Sequence, residues 1–150
     1  MIESPKRSDF RHFHPVFSRY QDNDVNGLIT GATIHGYFET AIQAFLLQQV
    51  GLDLREGELA AYVISSAADF LALPSFPDQL EVGLGVMRAA GSTVEYQLML
   101  FRLGEQQPCA AGRVVQVFVE RHGGAPMPLP PQLEAALGAL TLGNRRLAER

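Results

Sequence analysis

The chain has 150 residues, enough for one domain, and its apolar fraction of 47% against a charged fraction of 19% excludes a disordered protein. A net charge of -4 offers no basic surface for nucleic acid or an anionic membrane, and a single cysteine, Cys109, rules out an intrachain disulfide and a cysteine-built zinc site. The opening residues MIESPKRSDFRHF lack an apolar export segment, and no apolar run reaches the ~18 residues of a spanning helix, so a cytoplasmic protein is expected.

In chain order, Phe13, Pro15, Val16 and Phe17 suggest a short first strand over 12–20. QDNDVNG follows, a run of side chains that bond back to their own backbone and turn the chain. From Gly31 to Gln49 the apolar residues Ile34, Phe38, Ala41, Ile42 and Phe45 recur at threes and fours, which predicts one amphipathic helix closed by Gly51. Residues 60–72 read as a largely apolar strand. Leu80, Val82, Leu84 and Val86 then alternate with Glu81, Gly83, Gly85 and Met87. Val94, Tyr96, Leu98 and Leu100 alternate in the same way, and the short AAGS link makes the two runs an antiparallel hairpin. The turn GEQQP leads to a last strand over 110–121, and Pro131 opens a short helix over 132–140. A single domain over 1–150 is expected, with its ordered core at about 12–140.

Strand, long helix and then four strands joined by short turns make an α+β chain. A sheet with one apolar face needs a cover, and one five-turn helix can lie across it. A five-stranded antiparallel sheet wrapped around one long central helix, with a short C-terminal helix added, is the hotdog arrangement.

The segment Tyr20-Gln-Asp22-Asn-Asp24-Val-Asn-Gly27-Leu-Ile-Thr-Gly31-Ala32, followed by Tyr37-Phe38-Glu39-Thr-Ala41, resembles the motif of the 4-hydroxybenzoyl-CoA thioesterase family. SSAADFLALPSFPDQLEVGLGV, GSTVEYQLMLF, GRVVQVFVE and PLPPQLEAAL resemble, in order, that family's later strands and closing helix. The likeness runs from Val16 to Leu137. It departs from the family where Leu28 replaces a histidine and where Thr30 and Gly31 replace paired asparagines. Those departures bear on acyl specificity and activity.

The resemblance implies hydrolysis of acyl-CoA thioesters without metal or organic cofactor, in a homodimer or homotetramer with the ligand between subunits. Asp24 stands at the family's catalytic carboxylate position, as general base or nucleophile. Gly31 opens the predicted helix, whose first amides lack partners and sit at the positive end of its dipole, so they suit an oxyanion. Thr30, Arg88 and Ser92 are the expected substrate contacts, the last two near where family members hold the nucleotide. Arg102, Arg113 and Arg121 also lie on or beside strands.

Other readings stay open at this point. Asp24 in a loop of Asp and Asn can serve as a turn residue alone, and Asp22 as turn chemistry or a partner to it. Asp22-x-Asp24-x-Asn26-Gly27 also matches part of a calcium loop, but Thr33 stands where the bidentate Glu belongs. His12 and His14 share a strand face and could pair on a metal. His35 and Glu39 are one helical turn apart and could bond to one another. The rival functions are a hotdog hydratase or dehydratase, and a non-catalytic acyl-binding or assembly module.

Overall fold

The computed structural model describes residues 4–142. Strands β1 (His12–Phe17), β2 (Leu59–Phe70), β3 (Gln79–Ala90), β4 (Thr93–Arg102) and β5 (Pro108–Glu120) form one antiparallel sheet in the order β1-β3-β4-β5-β2. Helix α1 (Gly31–Phe45) lies against it, and α2 (Pro131–Gly138) closes the core. This is the expected hotdog architecture. It follows from alternation: Leu80, Val82, Leu84 and Val86 of β3 and Val94, Tyr96, Leu98 and Leu100 of β4 are all essentially buried, against Ile34, Phe38, Ala41, Ile42 and Phe45 of α1.

Two glycines decide how closely the layers approach. A side chain at Gly112 of β5 would collide with the Phe38 ring, so the large aromatic of α1 is seated where the sheet offers only backbone. On the opposite face, Phe10 fills the space over Gly83 and Leu142 the space over Gly85. Phe10, Leu142, Met99 and Phe101 make a second, smaller apolar cluster there.

Several boundaries differ from expectation for physical reasons. The first strand stops at Phe17 and continues into a 3-10 turn at Tyr20–Asp22, because Asp22 caps Arg19. The helix reaches Gly51 as expected, which ends it at φ +76, but its last turn, Leu46–Val50, is a wider π turn. The ordered core extends beyond 12–140, to Phe10 and Leu142, since both pack onto the sheet's outer face.

Candidate active site

The loop before α1 is a tight reversal built by its own residues. The Asp24 amide donates to the Leu28 carbonyl (2.9 Å) and the Gly27 amide to the Asp24 carbonyl (3.0 Å), with Gly27 at φ +76. Buried Ile29 anchors it, its amide donating to the Pro74 carbonyl at 2.8 Å. The Ser75 hydroxyl holds the Gly27 carbonyl at 2.6 Å, and the Phe76 amide donates to Asn23 Oδ1 at 2.9 Å. The loop is thus clamped between α1 and the 74–76 segment.

Asp24 divides its two oxygens. Oδ1 accepts the amides of Asn26 (2.8 Å) and Leu28 (3.2 Å), which is the turn role. Oδ2 meets the Thr30 hydroxyl at 3.4 Å, in an exposed position. The Asn26 amide, and then that of Leu28, hold the carboxyl below its usual range, so it is ionised at neutral pH. Thr30 is the N-cap of α1, yet its side chain caps none of the first-turn amides. Gly31 follows at φ +52, a left-handed conformation that a side chain would strain, with open space where a Cβ would stand. Asp24, Thr30 and Gly31 therefore converge at an open helix start.

Asp22 does not share this work. It is buried, accepting from Arg19 through the backbone amide (2.9 Å) and the guanidinium (2.9 and 3.2 Å), and from the Tyr37 hydroxyl (2.7 Å). Burial pushes its carboxyl up, but the Tyr37 and Arg19 hydrogen bonds outweigh this and lower it overall. The network stitches the loop to α1 and leaves Asp22 no free oxygen for a calcium loop. Beside it, His14, Val16, Phe17, Thr33 and Thr40 line a groove of about 440 Å³ between β1 and α1.

On its other flank α1 faces β2. His35 Nδ1 and Ser66 Oγ lie 2.7 Å apart, so His35 bonds across to the sheet and not to Glu39 along the helix. The Phe38 ring meets the imidazole edge-on at 6.4 Å. Further along, Gln43, Leu47, Leu52 and Ala61 line a groove of about 450 Å³, with Asp53 and Arg55 at its rim. The β2 edge is itself apolar and bare: Tyr62, Ile64, Phe70 and the adjoining Leu71 are 56%, 62%, 43% and 60% exposed.

Arg88 and Ser92 lie far from this centre along the chain's own fold. They sit at the β3–β4 turn, where the Ser92 carbonyl accepts the Phe118 amide, at the opposite end of the strands from the 74–76 clamp. Exposed Arg88 borders a hollow with Ala90, Thr93 and Glu95. The other arginines have structural partners: Arg102 bonds Asp78 and the Leu73 carbonyl, Arg121 the carbonyls of Leu54, Gly57 and Leu59, and Arg113 reaches Glu95 at 3.5 Å. His12 packs on the Phe45 ring, and burial lowers its pKa and that of His14. Among the described residues no three His, Cys, Asp or Glu side chains gather as a metal site, and no helix is long and apolar enough to cross a membrane.

Sequence reasoning missed the Asp22–Tyr37 and His35–Ser66 bonds. Both join residues 15 or more positions apart, and only the packing of α1 between the two sheet edges brings them together.

The thioesterase-like superfamily matches residues 18–137 of this chain. The PA5185 protein from Pseudomonas aeruginosa strain PAO1 is 41% identical over 92% of this chain and 96% of its own, with a TM-score of 0.89. A 1,4-dihydroxy-2-naphthoyl-CoA thioesterase from Synechocystis is similar at 19% identity, over 85% and 96% of the two chains, with a TM-score of 0.77. The dynemicin thioesterase is similar at 21% identity, over 86% and 96%, with a TM-score of 0.78. At those two identities the likeness speaks for the fold alone. No curated protein matches.

Proposed function

The chain belongs to the thioesterase-like superfamily, and from that premise we propose that it hydrolyses acyl-CoA thioesters to the free acid and CoA. The observation that carries the reading is the meeting of Asp24 Oδ2 and Thr30 at the uncapped start of α1. A thioester carbonyl placed there would direct its oxygen to the amides at Gly31, which stabilise the charge that builds on it. Asp24, anchored through Oδ1, would present Oδ2 to activate water as general base or to attack the carbon itself. No step requires a metal or an organic cofactor.

The assembly proposed is a homodimer, or a homotetramer made of two such dimers. The bare apolar edge of β2 is the surface that a second copy would cover, since an unpaired strand edge of this kind invites another strand. Antiparallel pairing of two β2 edges about a twofold axis would turn the second copy end for end. Its Arg88 and Ser92 would then stand at the end where this copy holds Asp24, which is how those two residues could reach the nucleotide of CoA.

The test is thiol release from short, long and aromatic acyl-CoAs by wild type and Asp24→Asn. Asparagine keeps an acceptor for both loop amides and loses the charge, so the fold should stand while turnover falls by about a hundredfold or more. Equal rates would remove Asp24 from the mechanism. Stabilisation by CoA without turnover on any thioester would favour the acyl-binding module instead. A hydratase is disfavoured by Leu28, which leaves the loop without the expected histidine.

A further inference from the structure

Hydrolysis of a thioester handles protons at two atoms, the attacking water and the departing sulfur. Asp24 serves the first, and its carboxyl is held in the ionised form, which makes it a poor store for the proton the sulfur needs. A second group is therefore to be sought near the start of α1.

His35 lies four residues beyond Gly31, about 6 Å along the helix axis. Side chains on a helix lean back toward its N-terminus, which directs the imidazole toward the turn that opens at Gly31. The ring is held on two sides, by the Ser66 hydroxyl at Nδ1 (2.7 Å) and by the edge-on contact with Phe38. Nε2 has no partner among the described residues. A hydrogen bond at one ring nitrogen sets the role left to the other, and histidine is the side chain suited to giving and taking a proton near neutral pH. Ser66 can meet this demand in either direction, because a hydroxyl both donates and accepts.

We infer that His35, oriented by Ser66, is the general acid of the reaction: as an imidazolium whose Nδ1–H is donated to Ser66 Oγ, it gives the proton on Nε2 to the CoA sulfur as the carbon–sulfur bond breaks and is left as the neutral imidazole. This rests on the thioesterase reading. Water adds to the carbonyl carbon and its proton passes to Asp24; the C–S bond then breaks, and the electron pair leaves with sulfur. His35 delivers one proton to that sulfur, forming the thiol. Proton exchange through solvent from Asp24 to His35 restores both groups. His35 is thus a catalytic residue, and Ser66 a positioning residue acting through it.

Leaving-group dependence separates this role from a structural one, because an aryl thiolate departs without a proton whereas the alkyl thiolate of CoA benefits from one. The experiment compares an acyl-CoA with the S-aryl thioester of the same acid. In His35→Gln the aryl-to-CoA rate ratio should rise about a hundredfold over wild type, the typical size of one general-acid contribution. Ser66→Ala should raise it part of the way, and Ser66→Thr, which keeps the hydroxyl, should return it toward the wild-type value. Asp24→Asn should slow both substrates and leave the ratio alone. Equal slowing of both substrates in a folded His35→Gln protein would overturn the assignment while leaving Asp24 in place. Wild-type protein that cleaves neither substrate would overturn Asp24 and His35 together.

Discussion

At the residue scale, the candidate site rests on one backbone position, Gly31, and on the Tyr37 hydroxyl that holds the buried Asp22 carboxylate. Gly31→Ala would force a side chain to φ +52, at a cost of about 1–2 kcal/mol, and would fill the open space at the helix start. Turnover is therefore expected to fall well beyond what the lower melting temperature explains, as parallel calorimetry and thiol-release assays would check. Tyr37→Phe removes one of the bonds holding Asp22 and should cost about 2 kcal/mol, because the partner is a nearly buried charge. Asp22 is lowered in the folded state, so its contribution is present above the unfolded value of about 3.9 and is lost as pH falls through the folded one. Without Tyr37 the folded value rises, and acid unfolding followed by circular dichroism should begin at higher pH than in wild type. The turn role of Asp24 and the helix start at Gly31 were legible in the sequence because both are local, whereas the proposed catalytic role of Asp24 came from the family resemblance. Tyr37 was legible only as part of a motif, since its partner lies 15 residues away.

At the element scale, α1 and the β3–β4 hairpin were readable because each has one buried face, and burial on one face imprints its period on the chain. Strand β2 was harder to read. Most of its side chains are exposed, it bulges between Val63 and Ser65, and small residues blur its alternation. That irregular, bare strand is also where a second copy is proposed to join. Ile64→Lys, at the bulge, should place a charge on the joining edge and convert dimer to monomer in analytical ultracentrifugation, with activity falling in step. Wild-type protein that sediments as a monomer at tens of micromolar would remove the edge from the assembly.

At the scale of the whole molecule, the proposed sharing of the site between copies would link folding to concentration. If β2 edges meet, the thermal midpoint should climb as protein concentration rises, which scanning calorimetry over a hundredfold range would detect. Nothing in composition announced this, since 47% apolar residues suit a monomer equally well. What composition and periodicity also left unread is the sheet's outer face. There Arg7 lies over the Phe13 and Phe101 rings, at 4.6 and 5.0 Å, and pairs with Glu81 at 2.6 Å, holding Phe10 above Gly83. From the other end of the described chain, the Val86 amide donates to the Leu140 carbonyl and the Leu142 amide to the Val86 carbonyl.

The two ends thus act as plugs on one stretch of β3, with a practical consequence for anyone trimming this protein. A version stopped at Gly138 would keep α2 and every residue assigned a role in catalysis. It would also uncork the hollow over Gly85 and strip Val86 of both backbone partners, giving a sticky rim a short way from where β1 begins. Such a shortened protein should keep the proposed thioester hydrolysis when fresh and precipitate on standing.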